Sequence, residues 1–213
     1  VTACERIASA VLAGPVAQAQ AYVKEQGVKQ ADETSWYEGS ARKTVWLWVA
    51  FTEQVTVFLI RASRGTDVAK DLLGQALGVL VTDRWCAYTW WPLKWRQLCW
   101  AHLKRHFPAF VDAGGQAGRI GGALLVEEKL LFEWWYRVRD GTLARSTLRA
   151  YTVALRRRVK ALLRRGSVCG HSKTEATCRE ILKLEPALWT FVRLAGVSPT
   201  NNASERAIRR GVI

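Results

Sequence analysis

The chain has 213 residues, 49% of them hydrophobic, which is enough for one or two domains with a sizeable core and excludes a disordered chain. Thirty-two Lys and Arg residues stand against 18 acids, a net charge of +14, and that excess points to a polyanionic partner, nucleic acid before an anionic membrane surface. No apolar run approaches the roughly 18 residues of a membrane helix, so no membrane span is expected.

Residues 1–27 are alanine-rich with loose helical periodicity, and Pro15 is expected to break or restart that helix. "VKQADET" (28–34) reads as a short strand. "TVWLWVAFT" (44–52) and "VTVFLIRAS" (55–63) read as a hairpin apolar on both faces, although Glu53-Gln54 is not a favoured turn pair. In "TDVAKDLLGQAL" the residues Val68, Ala69, Leu72, Leu73, Ala76 and Leu77 share one helical face, with Thr66 as the expected N-cap and Gly78 as the stop. "VLVTD" (79–83) follows as a strand, and strand, helix, strand in that order favours a parallel crossover. "WRQLCWAHL" (95–103) reads as a strand running into a helix.

Five glycines from Gly114 to Gly122 suggest a loose connection. Residues 119–195 then read as helical, with one apolar stripe through Ile120, Leu124, Leu131, Trp134 and Val138. A second runs through Leu148, Tyr151, Leu155, Val159, Leu162 and Leu163. "GVSPTNNASERAIRR" (196–210) gives a loop and a new helix, with Asn202 and Glu205 spaced as a capping box. The expected fold class is α/β: a mixed sheet interrupted by an all-helical insertion before the last helix. Five cysteines without paired spacing fit a reducing compartment. The chain contains no methionine and its last residues are "RRGVI", so it reads as a piece of a longer protein.

Three acids share one kind of position. Asp32 lies in the first strand, Asp83 ends the fourth and Glu205 lies in the first turn of the last helix. Ligand sites of open α/β sheets gather at strand ends and helix starts. Carboxylates converging there repel unless a cation neutralises them, and hard divalent Mg²⁺ takes oxygen ligands. Each acid taken alone reads first as a turn or cap residue, and spacing alone makes a metal triad the lesser reading. Glu33 rivals Asp32, but strand alternation points it to the other sheet face.

The blocks "ADETSW", "VLVTDRWCAY", "LCWAHLKRHF" and "PTNNASERAIR", in this order, resemble the catalytic blocks of bacterial DDE transposases of the insertion sequence 66 family. The last block is the most specific. The resemblance implies a ribonuclease H-like core over 28–106 and 196–213, with a helical insertion at 107–195. It implies that Asp32, Asp83 and Glu205 are catalytic and hold two Mg²⁺ ions, or Mn²⁺ in their place. It also implies metal-dependent cleavage and strand transfer at transposon ends, DNA as partner at those ends and at the target, a homo-oligomer on DNA, and a cytoplasmic, nucleoid-associated protein. Two rivals remain: another ribonuclease H-like nuclease, and a non-catalytic DNA-binding protein that has decayed or been adopted for another role.

Cys99, His102 and His106 invite a zinc reading, but no second ligand pair has convincing spacing. Many DDE transposases carry a similar Cys-x-x-His element, which would set His102 near the scissile phosphate; a packed or surface histidine is the alternative. Residues 137–165 hold ten basic residues and one acid. Arg149, Arg156, Lys160 and Arg164 fall on one helix side, either a DNA-backbone contact or a solvated face. Arg206, Arg209 and Arg210 follow Glu205 as phosphate-contact candidates. Trp134 and Trp135 read as core, with base stacking as the alternative.

Overall fold

The computed structural model describes residues 2–38 and 43–211; the side chain of Arg210 lies outside the described residues. The chain forms two compact units, Val1–Arg96 with Thr200–Ile213, and Gln97–Pro199.

The first unit opens with α1 (Ala3–Glu25), capped by Thr2 and Glu5 in a reciprocal capping box. Pro15 does not break it as expected. Residues 1 to 4 positions upstream are exposed, so water can satisfy the carbonyl that proline leaves without a donor. The helix ends against β1 (Val28–Glu38), where buried Lys29 donates to the carbonyl of Lys24 (2.6 Å). Then come β2 (Lys43–Phe51) and β3 (Thr56–Arg61). The β2–β3 turn is closed by Thr52, whose hydroxyl accepts from the Val55 N–H (3.0 Å), and this compensates for an unfavourable Glu53-Gln54 pair.

Helix α2 (Thr66–Leu73) buries Val68, Ala69, Leu72 and Leu73 as expected, but its limits differ. Gly65, not Thr66, is the N-cap, and the helix stops at Gly74 (φ 68°), so Leu77 lies outside it and is exposed. Strand β4 (Val79–Thr82) and the short β5 (Arg96–Leu98) complete the sheet in the order β3-β2-β1-β4-β5. β1 runs antiparallel to β2 and parallel to β4, and β2 runs antiparallel to β3. One face of the sheet packs Ala31, Trp48, Ala50, Val57, Leu59 and Leu80 against α1 and α2.

Gly78 sets the β4 register. It sits at φ 72°, and a Cβ there would lie 2.3 Å from the carbonyl oxygen of Gly27, which accepts the Val79 N–H. Gly78→Ala meets both a backbone clash and a left-handed conformation that costs about 1–3 kcal/mol outside glycine. The expected result is a Tm drop of several degrees by calorimetry, whereas Gly14→Ala, in open space within α1, leaves Tm unchanged or raises it.

The second unit is helical: α3 (Trp100–Lys104), α4 (Phe107–Asp112), α5 (Gly115–Arg139), α6 (Arg145–Gly166), α7 (Ser172–Lys183) and α8 (Thr190–Arg193). The glycine-rich stretch is the first turns of α5 rather than a loose connection. A Cβ on Gly121 would lie 2.8 Å from the Phe107 carbonyl and the Phe110 Cβ, so bare glycine lets α4 and α5 approach. Residues 97–106 pack with the helices. The Gln97 side chain accepts the Phe191 N–H (2.8 Å), and Trp100 donates to Leu188 O (2.9 Å) and stacks edge-on against Trp189. The expected stripes are buried at Ile120, Leu124, Leu131, Leu148, Leu155, Val159 and Leu163, while Tyr151 is exposed and packs on Trp134 (5.1 Å). Trp135 packs edge-on against Phe191.

The chain returns to the first unit in α9 (Asn202–Gly211), which packs on β1 and β2. Asn201, not Asn202, precedes the helix; its carbonyl accepts the Glu205 N–H (3.1 Å). No helix among the described residues is long and apolar enough to cross a membrane.

Candidate active site

The parallel ladder pairs Val28 with Val79, Lys29 with Leu80 and Gln30 with Val81. Carried two residues on, that register sets Asp32 level with Asp83, which follows directly on β4. Asp32 pairs with Val49 across β1–β2, so it belongs to the face that α9 covers. Helix α9 is pinned to the same strand just before Asp32. Asn201 Nδ2 donates to the Ala31 carbonyl (3.3 Å), and the Ser204 N–H donates to the Gln30 side chain (3.3 Å). Glu205, half-buried, is the next residue.

The electrostatics register this convergence. Burial first, then the neighbouring charges of Glu33, Asp83 and Glu205, together push the Asp32 carboxyl up from 3.8 to about 7, against one opposing hydrogen bond from the Glu33 N–H. Asp32 lies within β1, level with Asp83 just past β4, and Asp83 and Glu205 both act on its charge. All the carboxylate donors are oxygen and repel one another, which is a donor set that fits a hard divalent cation. Asp83 is held locally: its Oδ1 accepts the Trp85 N–H (2.8 Å) in an Asx turn, and buried Arg96 donates to its carbonyl (3.3 Å). Burial lowers the Arg96 pKa to about 10 despite the nearby Asp83, so it remains cationic at neutral pH.

Glu33 faces the other way, as alternation predicts, and is buried. Its carboxylate accepts two bonds from Arg64 (3.0 and 2.7 Å) and one from the Tyr88 hydroxyl. Burial, then Glu33, drives the Tyr88 pKa well above 10, which keeps that hydroxyl a donor. Sequence reasoning missed Arg64, Trp85 and Asn201 as neighbours of the acids. Only "DRW" carried a local signal, since an Asp two residues before a backbone N–H commonly forms this turn. The Asn201 Oδ1 is buried and has no hydrogen-bond donor among the described residues.

The remaining candidates divide. Arg206 and Arg209 are exposed on α9 beyond Glu205, and Arg210 lies outside the described side chains. In the helical unit, His102 is half-buried on α3, one turn from Cys99 at that helix's N-cap. Arg149 donates to the carbonyls of Val192 (3.2 Å) and Arg193 (2.9 Å). Arg156 forks onto buried Glu185 (2.7 and 3.1 Å), with Lys160 Nζ 3.8 Å away from it. These three side chains are engaged within their unit; Arg164 is exposed, as are Arg157 and Arg165.

Nothing among the curated proteins or the solved structures matches this chain. The family model described as Transposase IS66 family matches residues 1–213. With the whole chain covered, including the three acids that the sheet register and α9 bring together, the protein belongs to the IS66 transposase family.

Proposed function

We propose that this chain is the catalytic core of a DNA transposase: a ribonuclease H-like core, 28–106 and 196–213, interrupted by a helical insertion at 107–195. In this reading Asp32, Asp83 and Glu205 are the carboxylate triad that cleaves DNA strands at insertion-sequence ends and joins them to target DNA. The observation that carries it is the parallel register that sets Asp32 level with Asp83, with α9 anchored to β1 beside Asp32 through Asn201 and Ser204. The strand order β3-β2-β1-β4-β5, with a parallel β1–β4 pair, supports it.

The three carboxylates would hold two Mg²⁺ ions, or Mn²⁺. When bound, the ions lower the pKa of an attacking water and stabilise the leaving oxygen of the phosphodiester. The chain's own groups supply position. The Trp85 N–H and Arg96 fix Asp83 at the strand end, while Asn201 and Ser204 fix the height at which Glu205 enters over β1. Arg206 and Arg209, with Arg210, would take backbone phosphates beside the acids, and His102 of the helical unit would take a DNA phosphate. On the insertion the phosphate-binding role falls first to Arg164, Arg157 and Arg165. Arg149, Arg156 and Lys160 would join it only through donors not already engaged. Such contacts bind DNA irrespective of sequence and weaken steeply with salt. The protein would act as a homo-oligomer that holds two DNA ends.

The test is nicking of a duplex carrying the element's end, with Mg²⁺ or with EDTA, by the wild type and by Asp83→Ala. The expected result is cleavage by the wild type with Mg²⁺ alone, none by Asp83→Ala, and similar salt-sensitive DNA binding by both. Undiminished cleavage by Asp83→Ala overturns the assignment.

A further inference from the structure

A connected set of side chains on the far face of the sheet ends at Asp83. Glu33 leaves β1 on the side opposite Asp32, with a side chain only 1% exposed. Its Oε1 takes both Nε and Nη2 of Arg64, and its Oε2 takes the Tyr88 hydroxyl. The Arg64 guanidinium lies over two indoles, 3.9 Å from the ring centroid of Trp85 and 4.7 Å from that of Trp46. Trp85 is bound to Arg64 a second time: its indole N–H donates to the Arg64 carbonyl (3.1 Å). The backbone N–H of the same Trp85 holds Asp83 Oδ1 at 2.8 Å.

We infer that Arg64 is a positioning residue for the cation site: through Trp85 it fixes the Asp83 carboxylate, leaving Oδ2 as the oxygen presented to a divalent ion. The inference rests on reading Asp83 as a cation ligand. The physical argument is one of rigidity. Asp83 lies one residue past the end of β4; its carbonyl is held by Arg96 and the Thr82 hydroxyl, while its carboxylate is held by the Trp85 N–H. An Asx turn alone is weak, and Trp85 lies in a loop before a single 3₁₀ turn (Cys86–Tyr88). Arg64 supplies the restraint from three directions: a forked ion pair to β1, a stack on Trp46 of β2, and a stack plus a hydrogen bond on Trp85. The two stacks and the double bond to Oε1 need a planar guanidinium; a lysine ammonium keeps the charge, and the backbone carbonyl at 64 keeps its bond to Trp85, but an ammonium neither stacks flat on the indoles nor brings two in-plane donors onto that oxygen. Groups that orient metal ligands typically change metal affinity about 10- to 100-fold when removed.

The experiment uses the whole chain and reads cation binding rather than catalysis. Mn²⁺ affinity is measured by electron paramagnetic resonance, and Mg²⁺ affinity by calorimetry, at a temperature well below Tm, for the wild type, Asp83→Ala, Arg64→Lys and Trp85→Phe. Arg64→Lys is expected to weaken Mn²⁺ about tenfold. Trp85→Phe, which keeps a ring under the guanidinium but loses the indole N–H, is expected to weaken it less. Both variants should give wild-type circular dichroism. If the wild type and Asp83→Ala bind Mn²⁺ alike, the carboxylate-site reading fails. If Asp83→Ala loses binding while a folded Arg64→Lys binds as tightly as the wild type and shows only a lower Tm, that reading stands and Arg64 is structural, which overturns the inference. Should Arg64→Lys fail to fold, Trp85→Phe decides alone: unchanged affinity overturns the inference and weakened affinity supports it.

Discussion

Asp32→Asn should abolish metal-dependent cleavage and at the same time stabilise the metal-free protein. Loss of one of the three proposed ligands is expected to slow cleavage about a thousandfold or more, equivalent to about 4 kcal/mol of barrier. The stabilisation follows from linkage. The folded-state carboxyl of Asp32 is raised to about 7 from 3.8, by burial first and then by the acids around it. Between those two values the folded chain holds a proton that the unfolded chain has released, so stability falls as pH rises through that window and the penalty is complete above it. A neutral asparagine avoids the penalty, which is on the order of 1–4 kcal/mol. In EDTA at pH 8, Asp32→Asn should therefore melt at least about 3 °C above the wild type, and at pH 4 the two should converge. Mg²⁺ should raise the Tm of the wild type and not that of the variant. A lower Tm for Asp32→Asn at pH 8 would show that burial and the neighbouring acids do not penalise the charged form of Asp32.

In the helical unit, Arg156→Leu should destabilise by about 2–4 kcal/mol, because it strands a buried carboxylate. Glu185 has a side chain only 4% exposed and is satisfied by Arg156, Lys160 and the Trp189 indole N–H (2.9 Å). The figure sits at the low end of such changes because Arg156 itself is 43% exposed and the other two partners remain. Burial alone would raise the Glu185 pKa; Arg156, Lys160 and Trp189 reverse that and hold it below 4.5. In the wild type this group's contribution is full above 4.5 and is lost as pH falls through the depressed folded value. In Arg156→Leu the sign inverts, since burial then dominates, and the variant should lose least at mildly acidic pH. Glu185→Gln in the Arg156→Leu background keeps an acceptor for Trp189 and removes the charge, so it should recover much of the lost stability. Denaturation by urea at pH 5 and pH 7 measures all three.

The positions of the candidate acids within their elements were legible in one dimension. Asp83 closes a four-residue buried run, and Asp32 falls in a run of alternating burial. The opposite pointing of Glu33 followed from the two-residue period of a strand. Partners from distant chain segments were not legible. Arg149, Arg156 and Lys160 share a helix face that reads as open, and the carbonyls and the carboxylate that engage them arrive from residues 185–193. The glycines at 114–122 read as a loop because their low helix propensity is visible locally, whereas the close crossing of α4 and α5 that demands Gly121 is not. Pro15 misled for the same reason: its cost depends on whether water reaches the freed carbonyl, and exposure is a tertiary property.

The sequence by itself determined the alternation of strands and helices, the basic excess, and the order of the four blocks that carry the family. These depend on side-chain period and composition, which are local. Tertiary structure alone decided which acids act on the charge of Asp32, because that depends on the parallel register of β1 with β4 and on the hydrogen bonds of Asn201 and Ser204 to β1. It alone also decided which basic residues are engaged within their unit and that Arg64 reaches Asp83 through Trp85. Each of these is a contact between residues far apart in the chain, and no local pattern encodes the distance across which they fold together.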